Sequence, residues 1–192
     1  MAGRENILSE IRKNRRQAFE MPDFSDICPV EYQDKVKVFM DTVSLVGGHA
    51  RRLSPGEDVN LVLKEIYPDA EVIASSLPEI AASLDPDKVS HARELNGTGL
   101  GVVKGEVAVA ENGCVWVPQT MKERAVMFIS ECLAIIVDSK DIVNNMHEAY
   151  GRIEMSGYGY GCFISGPSKT ADIAQALVMG AQAARDVTVI IL

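Results

Sequence analysis

The sequence has no excess of positive charge. Its 27 acidic residues outnumber 19 Lys and Arg, for a formal net charge of −8. Nucleic-acid phosphates are bound through a basic face, so a general nucleic-acid binder is excluded. Long apolar runs are also missing. The longest, such as Leu133 to Val137, are about five residues, against the roughly twenty that a membrane-spanning helix needs. The first residues, Met-Ala-Gly-Arg-Glu-Asn-Ile-Leu, lack the apolar core of a signal peptide. These features predict a soluble, cytoplasmic protein with no membrane and no nucleic-acid partner.

Metal-binding and hydrolase signatures are missing too. The four cysteines, Cys28, Cys114, Cys132 and Cys162, form no C-x-x-C pair. A zinc or iron–sulfur site built by this chain alone is therefore not expected. Cys114, Cys132 and Cys162 sit among apolar residues and read as small core side chains. His49, His91 and His147 are scattered and form no H-x-x-x-H or H-E-x-x-H pattern. No G-x-S-x-G elbow and no G-x-x-x-x-G-K-[ST] loop occurs, which leaves a serine hydrolase and a P-loop nucleotide site without support. There is no internal repeat.

What is present is an ordinary globular composition, 47% apolar over 192 residues. A chain of this length suits one domain and buries roughly 70% of its unfolded surface. Residues 1–20 read as an amphipathic helical arm. Ile7, Leu8, Ile11, Ala18 and Phe19 share one face, with Arg12, Lys13, Arg15 and Arg16 beside it. Such an arm lies across the body or a neighbour. Residues 20–30, with Pro22 and Pro29, read as a connector, and the domain proper spans 31–192.

Within that domain, Val36, Phe39, Met40, Val43 and Val46 follow helical spacing, and Gly47-Gly48 ends the helix. A strand around 50–53, a helix through Val59, Val62, Leu63 and Ile66, and a strand at 71–74 come next. Residues 100–117, rich in Val and Ala, read as consecutive strands, with Asn112-Gly113 as a two-residue hairpin turn. Further on, the pattern predicts a helix over 122–130, a strand over 134–137 and a helix carrying Ile142 to Ile153. A strand over 162–164, a helix over 169–183 and a closing strand over 187–192 complete it. Alternating elements of this kind predict an α/β fold with a largely parallel sheet and helices on both faces.

Two stretches could carry chemistry. The first is Ser165-Gly166-Pro167-Ser168-Lys169-Thr170-Ala171-Asp172, read as a tight turn into a helix start. Unpaired N–H groups, the Ser168 and Thr170 hydroxyls, the Lys169 charge and the close approach allowed by Gly166 would suit a phosphate or carboxylate. Ser168 or Thr170 could cap that end, and Asp172 in the first turn already supplies a favourable negative charge that would repel an anion, so spacing alone favours a plain capped junction. The second is Ala110-Glu111-Asn112-Gly113-Cys114. A carboxylate at the shoulder of a tight hairpin is fixed in direction and could act as base or nucleophile, or simply be solvated.

Together these stretches resemble the LUD (lactate-utilisation) domain family, also called LutC/YkgG-like. The likeness rests on Ser165-Gly-Pro-Ser-Lys-Thr-Ala-Asp-Ile173, the closing strand Val187-Thr-Val-Ile-Ile-Leu192, Gly101-Val102, and Ala108-Val109-Ala110-Glu111-Asn112-Gly113. It implies an open, mostly parallel sheet flanked by helices, similar to glucosamine-phosphate deaminase, ribose-phosphate isomerase and the CoA transferases (the NagB/RpiA/CoA-transferase-like fold). It also implies a ligand cleft at the strand ends. The sequence departs from the family pattern where Lys169 replaces an arginine, Gln182 a histidine, and Val103-Lys104 a Thr-Gly pair. The segment Ile129-Ser130-Glu131-Cys132 likewise lacks the usual histidine. An imidazole-dependent chemistry is not expected as a result.

Three functions follow from the resemblance. The first is a non-redox subunit or accessory protein of lactate (2-hydroxy acid) utilisation. It would have an anion-binding cleft at Gly166, Ser168, Lys169, Thr170, Asp172, Asn112 and Gly113. It would carry no cofactor of its own and act beside iron–sulfur oxidoreductase subunits. The second is an acyl- or CoA-transferase-like enzyme using Glu111 as nucleophile. The third is a binding module for a small phosphorylated or carboxylated metabolite.

Overall fold

The computed structural model describes residues 2–15, 17, 19, 20, 22, 23, 28–170 and 177–192. After helix α1 (Ala2–Asn14) the domain opens with α2 (Lys35–Leu45). Asp34 caps α2 by accepting a hydrogen bond from the Lys37 N–H at 3.0 Å. Gly47, with φ of +83°, follows its end. The chain then alternates through β1 (His49–Arg52), α3 (Val59–Ile66), β2 (Ile73–Ala74) and β3 (Leu100–Lys104). Next come β4 (Val107–Val109), β5 (Cys114–Pro118), α4 (Val126–Ile129) and β6 (Cys132–Val137). The last third contains β7 (Ile142–Val143), α5 (Met146–Arg152), β8 (Gly161–Ile164), β9 (Lys169–Thr170), β10 (Val178–Met179) and β11 (Asp186–Ile191).

Five strands form a wholly parallel sheet in the order β1-β11-β6-β3-β2. Its central strand explains why the sequence shows an apolar run rather than an alternation. Leu133, Ile135 and Val137 of β6 face one side; Cys132, Ala134 and Ile136 face the other; all six are buried. A strand covered on both faces needs apolar side chains at every position. Val62 and Leu63 of α3 cover the Cys132 side. Phe39 and Val43 of α2, with Val126 and Met127 of α4, pack on the Leu133 side. Parallel sheet and flanking helices agree with the α/β reading.

A second sheet, order β7-β4-β5-β8, also lies on the Leu133 side. The sequence reading expected one largely parallel sheet with a hairpin at Asn112-Gly113, and did not separate this second sheet. Ala108 and Val115 of this second sheet face the shared core. Val107, Val109, Cys114 and Trp116 face outward onto Ala149 of α5. One element thus separates two cores.

Four local expectations change. The β4–β5 hairpin pairs Val109 with Cys114, so its loop is Ala110 to Gly113, four residues rather than two. The Gly113 N–H donates to Val109 O at 2.9 Å, and the Asn112 Oδ1 accepts from Cys114 N at 3.2 Å, which closes the longer turn. Ile142 and Val143 form β7 beside β4, and the helix begins only at Met146. The helix expected over 122–130 is the single turn α4. Most consequentially, the helix expected over 169–183 is not seen where it is described. Lys169–Thr170 pairs antiparallel with Val178–Met179, and Gly180 has φ of +74°. Leu177, Val178 and Met179 are exposed, so no buried stripe stabilises a helix there. Residues 171–176, including Asp172, lie outside the described residues.

Candidate functional site

The chain leaves β8 at Ser165 and turns through Gly166, whose φ is +66°. A Cβ at Gly166 would lie 2.7 Å from the Val46 carbonyl oxygen, so both backbone shape and closeness demand glycine. The Ser168 N–H donates to Ala184 O at 2.9 Å, and the Gly180 N–H donates to Ser168 O at 2.9 Å. These bonds clamp the loop against the approach to β11. The Lys169 ammonium donates to the Val46 carbonyl at the C-terminal cap of α2. A cation there meets the negative end of the helix dipole.

Beneath the loop lies a cavity of about 440 Å³. Leu133 and Val187 of the parallel sheet and Met127 and Phe128 of α4 supply apolar wall. Cys162, Ser165 to Lys169 and Gln182 supply its polar groups. Burial pushes the Cys162 thiol above its ordinary value, although the hydrogen bond from Tyr160 opposes this. Arg124 stacks over the Tyr160 ring at 4.7 Å, and Phe128 meets the same ring edge-on at 6.5 Å. Sequence reasoning missed Cys162 and Phe128 as cavity residues. The i, i+2 spacing of Tyr160 and Cys162 into a strand was the available signal.

The hairpin loop touches this site. The Ser165 hydroxyl donates to Asn112 O at 3.0 Å. Gly113 packs on α2, where a Cβ would lie 3.0 Å from the Val43 nitrogen. Glu111 turns elsewhere. Its Oε1 accepts from Met146 N at 2.7 Å, and its own N–H donates to Asn144 O at 3.1 Å. The carboxylate therefore caps the first turn of α5 and is not among the residues lining the cavity. The two stretches adjoin, but the acid and the cavity are not one site. Gly166, Ser168 and Lys169 line the cavity; Thr170 pairs with Val178 in the β9–β10 ribbon. An anion site at a helix start does not form at 169–170, because those residues are a strand.

A second polar group lies at the N-terminal edge of the parallel sheet. The Tyr67 hydroxyl is 2.7 Å from Thr188 Oγ1 and 3.4 Å from Asp186 Oδ1, and His49 Nε2 lies 3.9 Å from the same carboxylate. Burial holds the Tyr67 phenol protonated far above its ordinary range. Beside it is a crevice of about 350 Å³ that includes the Arg185–Glu131 ion pair at 2.9 Å. Among the described residues, no group of three or more His, Cys, Asp or Glu could hold a metal ion.

The family model of the LUD domain matches residues 70–192. The chain belongs to the LUD domain family. The match begins near β2, well before the motifs around Gly101 that suggest it in the sequence, and runs to the last strand. The family is associated with lactate utilisation generally. The LUD chain is also similar to a solved structure described as a DUF162 family protein from Deinococcus radiodurans. The TM-score is 0.66 and the identity 15%, over 85% of this chain and 99% of that one. At that identity the likeness concerns the fold alone. No curated protein sequence matches the chain at a significant level. No helix of this LUD chain, among the described residues, is long and apolar enough to cross a membrane.

Proposed function

We propose that this LUD domain is a non-redox subunit of lactate, or related 2-hydroxy acid, utilisation. In this reading it holds a small carboxylate or phosphate anion under the Ser165–Thr170 loop and acts beside iron–sulfur partner proteins. The observation that carries the reading is the cavity beneath that loop, together with the family's general association. Its volume of about 440 Å³ lies within the range of small-metabolite sites. Leu133, Val187 and Phe128 suit a short carbon skeleton. Ser168, Gln182 and the Lys169 ammonium suit its charged end. Lys169 uses one proton on Val46 O and has two further donors for a ligand. A point charge of this kind tolerates several anion geometries, unlike a guanidinium fork.

Because Glu111 is engaged at α5, the transferase reading lacks the glutamate nucleophile on which it rests. The binding role therefore comes first. In such a division of labour the domain would fix the 2-hydroxy acid or its 2-oxo product, and iron–sulfur clusters held by a partner would accept the two electrons of the oxidation.

The test uses the full chain with L-lactate, D-lactate, glycolate, pyruvate and inorganic phosphate. One of these should raise the melting temperature and slow maleimide labelling of Cys162 in the cavity wall. Lys169→Met should weaken both effects. If no anion of the panel changes either readout, the cleft assignment fails. Affinity capture from the native host, followed by absorption spectroscopy and mass spectrometry, should recover iron–sulfur proteins. Their absence would remove the partner half of the proposal.

A further inference from the structure

We infer that the cavity beneath the Ser165–Thr170 loop takes a 2-hydroxy acid with a bulky apolar side chain, of the size of an aromatic ring, in preference to lactate. This rests on the anion-binding reading above and names the substrate class of that same site. Size is the first observation. The cavity holds about 440 Å³. The six non-hydrogen atoms of lactate occupy at most about 180 Å³, giving each the roughly 30 Å³ of a molecule in liquid water. More than half of the cavity would stay unfilled. Water is a poor occupant of the remainder, because an ordered water needs about two to four polar partners. The walls away from the loop are Leu133, Val187 and Met127, which offer none. A void against such walls forfeits dispersion contacts, so an apolar group is the occupant they favour.

The placement of polarity orients the ligand. Ser168 and Lys169 lie on the loop, and Gln182 lies on the segment that the Ser168 N–H bonds through Ala184 O at 2.9 Å. The carboxylate and 2-hydroxyl belong at that end, and the side chain then extends toward α4. There Phe128 receives it. Its neighbours Val126 and Met127 are buried, which fixes α4 against the core. Phe128 itself is 37% exposed and borders the cavity. Its ring meets Tyr160 edge-on at 6.5 Å and leaves the rest of its surface uncovered. Aromatic rings pair in offset or edge-to-face contact, so a ring in the ligand gains an interaction that the methyl group of lactate cannot make. Pockets for small molecules follow this plan, with mostly apolar and aromatic walls and a few polar groups that fix orientation.

The experiment is calorimetric titration of the full chain with 3-phenyllactate, lactate and 2-phenylethanol, which keeps the ring but has no carboxylate. Phenyllactate should bind at least about tenfold more tightly than lactate, since one well-buried methylene already discriminates by about that factor. 2-Phenylethanol should bind about tenfold or more weakly than phenyllactate, because the charged end is lost. Bound phenyllactate should slow maleimide labelling of Cys162, read by mass spectrometry of its peptide. Phe128→Ala should weaken phenyllactate more than lactate, and the wild-type comparison stands whether or not that variant folds. Lactate binding as tightly as phenyllactate overturns the inference and leaves the anion site standing. Binding of neither acid removes the anion reading itself, and the inference with it. Tight phenyllactate binding that leaves Cys162 labelling unchanged, or that 2-phenylethanol matches, also overturns it. So does an equal loss of both acids in a folded Phe128→Ala.

Discussion

Ser165 donates its hydroxyl proton to the carbonyl of Asn112 across 3.0 Å, joining loops that lie 53 residues apart. This bond ties the cavity loop to the β4–β5 turn. Ser165→Ala should cost about 1 kcal/mol, the net worth of one intramolecular hydrogen bond. Amide exchange of residues 110–114 should accelerate more than that of β6. Equal protection in both proteins would show that the loops are held together by other contacts.

Glu111 predicts a stability effect rather than a chemical one. Its carboxylate serves the Met146 N–H at the start of α5. Glu111→Ala should lower stability by about 1 kcal/mol in urea titration, as for a lost helix cap. Incubation with acyl-CoA should give no adduct at this position. A covalent adduct trapped at Glu111 would restore the transferase reading.

Lys169 sits on the last carbonyl of α2 through the Val46 oxygen. Lys169→Met should destabilise the free protein by about 0.5–1 kcal/mol through loss of a cation at a helix C-terminus. The midpoint of thermal unfolding, measured without any anion, checks this apart from ligand binding.

The four thiols should react in an order set by burial. Cys28 is exposed, Cys162 is half-buried, and Cys114 and Cys132 are buried. Burial pushes the Cys114 thiol up to about 12 and also raises Cys132 and Cys162. The thiolate is the reactive form. Titration with a thiol reagent at pH 8 should consume Cys28 first and Cys162 slowly, with Cys114 and Cys132 reached only on unfolding. Rapid loss of all four would contradict the packing described.

Glu148 predicts an acid limb. Burial acts to raise its pKa, but hydrogen bonds from the Asn144 side chain and backbone, with the charges of Lys35 and Arg152, hold it below the ordinary value of 4.5. A carboxyl depressed on folding contributes stability that is fully present above its unfolded pKa. That stability is lost as pH falls through the folded value. Stability should therefore decline below about pH 4.5, and Glu148→Gln should flatten that decline. Urea midpoints measured from pH 6 down to pH 3 test the sign.

Much of the architecture was legible in local signals. The helical spacing of Val36, Phe39, Met40, Val43 and Val46, ended by Gly47-Gly48, marked α2, and the apolar stretch from Ala134 to Val137 marked β6. The chain also announced Ser165-Gly-Pro-Ser and Glu-Asn-Gly as special turns. Elsewhere local pattern misled. The helix expected over 169–183 included Val178 and Met179, yet they stand exposed and pair with Lys169–Thr170. Periodicity reports what could be buried and is silent on whether a partner surface arrives.

Residue order by itself pointed to the α/β class and the family, because alternating apolar periods and short motifs are read from residues within a few positions of one another. Only the tertiary structure decided that β4, β5, β7 and β8 leave the main sheet to build their own. It also decided that Glu111 meets Met146, 35 residues on, and that Lys169 meets Val46, 123 residues back. Those partners are chosen by how packed layers bring distant backbone groups into reach, and no local spacing encodes that choice.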